Sequence, residues 1–174
     1  MVKHKSSHAI RIAKTNKDRI PVLSTKEQQM IYENRCKDCN LDFKTMEPQY
    51  RKFKEQVQMV CINRKIVLRE MNLGLNFSRA FVHLVENHSR YNMDKIASID
   101  LSKNQLRDEG VIELSKILLC SKSLVKLDLS SNEITPKAIQ PLAEALKTNN
   151  SLTFLALSTI DGVQRNRVGK IGGE

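Results

Sequence analysis

Two cysteines with C-x-x-C spacing, Cys36 and Cys39, come closest to a chemical site in this sequence. A zinc site of this kind needs two further ligands at a matching spacing. The remaining cysteines, Cys61 and Cys120, instead lie within apolar helical patterns. A redox pair needs a thioredoxin-type βαβ setting, and the surrounding residues do not provide one. We therefore expect ordinary thiols, with no metal ion and no cofactor.

The histidines provide no alternative catalytic site. His4 and His8 lie in a basic N-terminal stretch, and His83 and His88 lie in HLVENH, which is not the H-E-x-x-H zinc motif. The sequence also contains no G-x-S-x-G nucleophile motif, phosphate-binding glycine loop or kinase signature. It therefore predicts a protein that is not an enzyme.

A pattern of apolar residues begins at residue 96 and recurs at an interval of 28 residues. Residues 96–106 and 124–134 both fit L-x-x-L-x-L-x-x-N-x-L, with Ile at some Leu positions, and residues 152–157 begin a third copy. The alternation in L-x-L predicts a short strand with one buried face. An Asn side chain after such a strand can bond backbone groups left unpaired in the turn.

We expect these asparagines to stack into a ladder. Two of them belong to the complete copies. The third fits the pattern only if six extra residues are inserted within STIDGVQR, and these residues would form a longer loop. The three predicted ladder residues are Asn104, Asn132 and Asn166.

The second half of each copy has the spacing of an amphipathic helix. The predicted apolar faces are Val111, Leu114, Ile117 and Leu118 in one helix, and Ile139, Leu142, Ala145 and Leu146 in the next. Pro136 suits a helix start, but Pro141 does not suit a helix interior. We therefore expect the second of these helices to begin near Ile139.

A strand, a turn and a helix within 28 residues resemble the leucine-rich repeat in its ribonuclease-inhibitor-like subtype. The matching segments are LDLSSNEI and LAEAL, with IDLSKNQL and GVIELSKIL in the preceding copy. The resemblance covers residues 96–157. It implies an α/β solenoid with short parallel strands on a concave side and helices on a convex side.

The resemblance also predicts where the repeats begin and end. Residues 64–95 form a degenerate repeat that aligns at an offset of 33 and has Met71 in place of the ladder Asn; Phe77, Phe81, Val82, Leu84 and Val85 supply its helix face. Complete repeats cover 96–123 and 124–151, and an incomplete repeat covers 152–174. Because the third helix is missing, we expect a fragment, a short form, or a partner that covers the open end.

The N-terminal part of the chain has a different composition. Residues 1–24 contain six Lys or Arg and one acidic residue, which predicts a disordered basic arm, with a mitochondrial transit peptide as the alternative. Residues 25–63 are expected to form a helical cap. Ser24 and Glu27 match a capping box, and a second helix would follow Pro48, with Tyr50, Phe53, Val57, Val60 and Cys61 on one face.

The net charge of +10 is concentrated in the N-terminal half. Residues 1–63 hold 13 Lys or Arg against 7 Asp or Glu, whereas residues 96–174 hold 10 against 9. Such an arm can be attracted to an acidic surface. The apolar runs are far shorter than the roughly 20 residues of a membrane span. No secretory signal opens the sequence, and we expect a cytoplasmic protein with free thiols.

The best candidate binding surface is the concave face, formed by strand side chains that do not enter the core. Its predicted members are Lys65, Val67, Arg69, Ser98, Asp100, Ser102, Lys126, Asp128, Ser130, Phe154, Ala156 and Ser158. Asp100 and Asp128 should lie side by side, about 5 Å apart. Two adjacent carboxylates could recognise a basic residue on a partner, or they could be solvated or neutralised by Lys126.

The resemblance implies a non-catalytic protein-interaction scaffold, since repeats of this subtype are mostly interaction platforms. Proteins with such repeats include ciliary dynein-regulator and radial-spoke components, immune receptors and Ran GTPase activators, so a cytoskeletal or ciliary assembly is one candidate setting. Two alternatives remain open. One is a nucleic-acid or ribosome-associated protein that uses the basic arm, although the arm has no aromatic residues for stacking. The other is a GTPase-activator-like regulator.

Overall fold

The structure is a computed structural model, and it describes residues 24–43, 50, 64–86, 96–159 and 164–169. In these residues, four strands form one parallel sheet in sequence order: β1 (Lys65–Val67), β2 (Ser98–Asp100), β3 (Lys126–Asp128) and β4 (Phe154–Ala156). The described helices are α1 (Thr25–Asp38), α2 (Leu75–Glu86), α3 (Arg107–Cys120) and α4 (Pro136–Thr148).

The strand register follows the sequence repeats. Lys65 pairs with Ser98, which confirms the offset of 33 for the degenerate repeat. Ser98 then pairs with Lys126, and Lys126 pairs with Phe154, each at the 28-residue interval. The predicted α/β solenoid with parallel strands is therefore confirmed.

The hydrophobic core lies between the sheet and the helices. Ile66, Ile99 and Leu127 occupy the same register position on three strands, and all are buried. The predicted apolar faces of α2 and α3 are buried as well. On α4, in contrast, Ile139 and Leu146 are only partly buried. In the described part of the chain no further helix follows α4 to cover them.

Helix α4 begins at Pro136, so the predicted start near Ile139 is wrong. Thr135 is the N-cap, and its hydroxyl oxygen accepts a hydrogen bond from the backbone N–H of Lys137. Pro141 removes one backbone donor near the helix start. That loss is offset because Ala138, Leu142 and Ala145 are buried on both sides of the proline.

Helix α1 packs against α2 at the N-terminal edge of the repeats. It starts with the predicted capping box: the Ser24 N–H donates to Glu27 Oε2 at 2.7 Å, and the Glu27 N–H donates to Ser24 Oγ at 3.4 Å. The basic arm before residue 24, the second predicted helix apart from Tyr50, and residues 160–163 of the predicted insertion lie outside the described residues. In the described part, no helix is long and apolar enough to span a membrane.

Candidate functional site

The sheet has one face that no described element covers, and we call it the open sheet face. It corresponds to the predicted concave face. Two rows of side chains cross the four strands in register, and Lys65, Val67, Lys126 and Phe154 are its exposed members. The first row is Lys65, Ser98, Lys126 and Phe154, and the second is Val67, Asp100, Asp128 and Ala156.

Asn104 connects the first two repeats at the end of the strands. Its side chain is fully buried. Its Oδ1 accepts from the N–H groups of Met71 (2.9 Å) and Leu73 (3.1 Å). Its Nδ2 donates to the carbonyl oxygens of Leu68 (2.9 Å) and Leu101 (2.8 Å). One side chain thereby satisfies backbone groups of two adjacent turns, which would otherwise be buried without partners.

Asn132 and Asn166 occupy the same position in the next two repeats. Asn132 Nδ2 donates to Leu101 O at 2.9 Å. Asn166 Oδ1 accepts from the N–H groups of Asn132 (2.7 Å) and Ile134 (3.1 Å), and its Nδ2 donates to Leu129 O at 2.9 Å. The asparagines therefore fix the spacing and orientation of the strands that carry the open sheet face.

The two aspartates of the open sheet face are neighbours in the register but are bonded to their own turns. Asp100 Oδ1 accepts from Ser102 N–H at 2.9 Å and from Ser102 Oγ at 2.6 Å. Asp128 Oδ1 accepts from Ser130 N–H at 3.0 Å. Both carboxylates are thus partly committed to closing the turn that follows each strand, and both residues are half-buried.

This arrangement corrects the prediction for Ser102 and Ser130. Each is about 1% exposed, so neither side chain is available to a partner at the surface. The physical reason is that both hydroxyl groups are engaged by neighbouring polar side chains. The Ser102 hydroxyl bonds Asp100, while the Ser130 oxygen lies 3.1 Å from Ser158 Oγ. Ser158 itself is exposed.

The basic side chains of the open sheet face do not pair with its aspartates. Lys126 Nζ lies 4.5 Å from the centroid of the Phe154 ring, a cation–π contact. Lys65 and Arg69 are exposed. None of these three cations forms an ion pair with a residue that the structure describes.

Helix α1 contributes two residues that sequence reasoning missed. The Asp38 carboxylate accepts from the N–H groups of Gly74 (2.8 Å), Asn76 (2.8 Å) and Phe77 (2.9 Å), and thereby caps the start of α2. Arg35 Nε donates to Met71 O at 2.6 Å. Met71 is the residue that replaces the ladder Asn. The absence of the ladder Asn at this position is the sequence signal that the ladder ends at this repeat.

The C-x-x-C pair lies at the end of α1. Cys36 is buried, and Cys39 Sγ donates to Asn72 O at 3.4 Å. Burial raises the pKa of the Cys36 and Cys39 thiols above the ordinary value, which disfavours the reactive thiolate. Among the residues that the structure describes, no group of three or more His, Cys, Asp or Glu side chains is arranged to hold a metal ion.

Comparison with known families is consistent with this geometry. Residues 95–115 and 120–143 match the family model described as Leucine Rich repeat. These stretches contain β2 with the first part of α3, and β3 with the first part of α4. The comparison with curated proteins found no match. The matched sequence, the parallel register and the buried asparagines together identify the fold as a solenoid of leucine-rich repeats.

Proposed function

We propose that this protein is a non-catalytic interaction scaffold and that its open sheet face binds a protein partner. Leucine-rich repeats are generally an interaction fold without catalytic activity. The observation that carries the proposal is the exposure of large apolar side chains on this face. Val67 is 46% exposed and Phe154 is 48% exposed, with charged side chains around them. Interfaces combine apolar side chains with a polar surround, and this four-stranded face, which no described element covers, carries both.

The backbone beneath this face supports the proposal because hydrogen bonds join its consecutive turns. Buried asparagines bond consecutive turns. Glu70, Lys103 and Ser131, each just before the ladder position, share a left-handed backbone conformation with φ between 52° and 61°. A surface ordered before binding loses less conformational entropy when a partner docks.

The finer expectations remain predictions. The ribonuclease-inhibitor-like subtype, the cytoskeletal or ciliary setting and the GTPase-activator alternative all derive from the family resemblance. The nucleic-acid alternative depends on the basic arm, which lies before the first described residue. No contact on the open sheet face favours any of these over the scaffold.

The test compares two substitutions that replace an exposed apolar side chain with a neutral amide. Val67→Gln does so on the open sheet face, and Leu119→Gln does so on α3, where Leu119 is 63% exposed. Each full-length variant and the unchanged chain would be used as bait in native extract, with quantitative mass spectrometry of the retained proteins. We expect Val67→Gln to lower retention of specific partners by about tenfold, and Leu119→Gln to leave it unchanged. Equal retention by both variants would contradict the proposal.

A further inference from the structure

We propose that the partner segment bound by the open sheet face is acidic, a stretch of protein chain carrying Asp and Glu side chains. This inference rests on the proposed function and specifies the chemistry of the partner. It is carried by three cations, Lys65, Arg69 and Lys126, which are exposed and have no anionic partner among the described residues.

Two of these cations lie on the first repeat. Lys65 and Val67 are the exposed residues of β1, with Ile66 buried between them. Arg69 follows just after the strand and is exposed as well. In the corresponding position the next two repeats have the buried Ser102 and Ser130. The first repeat therefore presents a basic, apolar, basic sequence of side chains that the later repeats do not share.

The third cation lies two strands away. Lys126 is in the same register row as Lys65, with Ser98 between them, which corresponds to about 10 Å across the sheet. Its ammonium lies over the Phe154 ring at 4.5 Å. The ring holds this charge in place without neutralising it, because a cation–π contact supplies no counter-ion.

The acidic groups nearby are partly engaged. Asp100 and Asp128 each use Oδ1 to bond the turn after their own strand. The exposed Glu70 lies 3.7 Å from Lys103 Nζ. The face therefore presents its cations to solvent and turns part of its negative charge toward its own backbone. Carboxylates of a partner would supply the missing counter-ions, and Val67 with the Phe154 ring would supply apolar contact between them.

A protein segment fits this surface better than a nucleic acid. Binding of single strands depends on aromatic side chains on which bases stack. On the described open sheet face Phe154 is the one aromatic residue, and Lys126 already lies over its ring. The cations are also separated by Ser98, Val67 and the two aspartates, and so do not form a continuous basic track.

The experiment measures peptide binding to the full chain by fluorescence anisotropy. The probes are a short labelled peptide of alternating Glu and Ser, its Lys–Ser and Gln–Ser counterparts, and a single-stranded oligonucleotide. The test variant is K65E/R69E. The matched control is R79E/K122E, which makes the same charge change at two exposed residues away from the open sheet face. Both variants alter non-specific attraction by the net charge equally.

We expect the Glu–Ser peptide to bind more tightly than the other probes at low salt. Its dissociation constant should rise about tenfold in K65E/R69E and less than about twofold in R79E/K122E. Thermal unfolding would show that each variant folds. If K65E/R69E does not fold, K65Q/R69Q replaces it, with an expected rise of about threefold.

Three results would overturn the acidic-partner inference. These are tighter binding of the Lys–Ser peptide, tighter binding of the oligonucleotide with dependence on Lys65 and Arg69, and equal loss of Glu–Ser binding in both charge-reversed variants. None of these results decides whether the open sheet face binds a protein partner. That question belongs to the Val67→Gln and Leu119→Gln comparison, which introduces no charge and so does not depend on the charge of the partner.

Discussion

The two ends of the described solenoid are finished in different ways. At the N-terminal end, α1 packs on α2, and its Asp38 and Arg35 side chains bond backbone groups of the first repeat. At the C-terminal end, Asn166 bonds the preceding turn, but several apolar side chains of α4 and of the residues after it remain partly exposed. These are Ile139, Leu146, Leu152, Leu155, Leu157 and Val168.

This difference shows how a repeat protein distributes its stability. A repeat buries its apolar faces only against its neighbours. The first repeat has neighbours on both sides and contains fully buried residues such as Leu73 and Phe77. The last described strand has one neighbour. We therefore expect substitutions at equivalent positions to lower the free energy of unfolding less toward the C-terminal end.

The largest expected effect compares Leu118 and Leu146, which are 28 residues apart and occupy the same position in consecutive helices. Leu118 is 1% exposed and Leu146 is only partly buried. We expect Leu118→Ala to lower the free energy of unfolding by about 3 kcal/mol and Leu146→Ala by about 1 kcal/mol. Urea denaturation followed by circular dichroism measures both. Equal losses would mean that the C-terminal end is packed as tightly as the middle.

The next largest difference in unfolding free energy is expected within the asparagine ladder. Asn104 is fully buried and bonds five backbone groups of its own and the preceding turn, whereas Asn166 is partly exposed. We expect Asn104→Ala to lower the free energy of unfolding by about 2–3 kcal/mol and Asn166→Ala to lower it by about 1 kcal/mol. The exposed Asn150 supplies the control, since Asn150→Ala removes the same group at a position where it bonds none of the described residues. A loss at Asn104 no larger than at Asn150 would refute the structural role of the ladder.

A smaller effect is expected where α1 joins the first repeat. Asp38→Ala removes the acceptor for three N–H groups at the start of α2. It should lower the free energy of unfolding by about 1–2 kcal/mol. Asp38→Asn retains one acceptor oxygen and should cost less. Gly74→Ala probes the same contact, because an added Cβ would lie 2.9 Å from the Asp38 carboxyl group. If all three variants unfold like the unchanged chain, α1 does not stabilise the repeats through Asp38.

The smallest effect concerns the exposed pair Glu109–Lys137, which joins α3 to α4 at 2.9 Å. The hydrogen bond from Lys137 lowers the pKa of Glu109 below its ordinary value near 4.5, and the same bond raises the pKa of Lys137 above 10.5. The contribution of Glu109 is therefore present at neutral pH and is lost as the pH falls through its lowered pKa. That of Lys137 is lost only at strongly alkaline pH.

We expect Glu109→Gln to lower the melting temperature slightly at pH 7 in low salt. The difference should disappear at high salt and at pH values below the lowered pKa of Glu109. Thermal scans at several pH values test this. A difference that persists in strong acid would require a cause other than the ion pair.

Sequence reasoning predicted the features set by short-range spacing. The strand register and the buried faces of α2 and α3 follow from periodicity, and the position of Asn166 follows from the template once an insertion is allowed. Asp38 could not be assigned in this way, because it bonds Asn76, which lies 38 residues further along the chain. The burial of Ser102 and Ser130 accompanies hydrogen-bond contacts with Asp100 and Ser158, which strand alternation does not specify. The start of α4 depends on packing on both sides of Pro141, which outweighs local propensity.

The most direct test of the open sheet face as a binding surface is site-specific photo-cross-linking. A photoreactive aromatic amino acid would be placed at position 67 in one full-length protein and at position 119 in another, since both native side chains are exposed. After irradiation in native extract, we predict covalent adducts to a defined protein partner from position 67 and none of these from position 119. The same adducts from position 119, with none from position 67, would contradict the account.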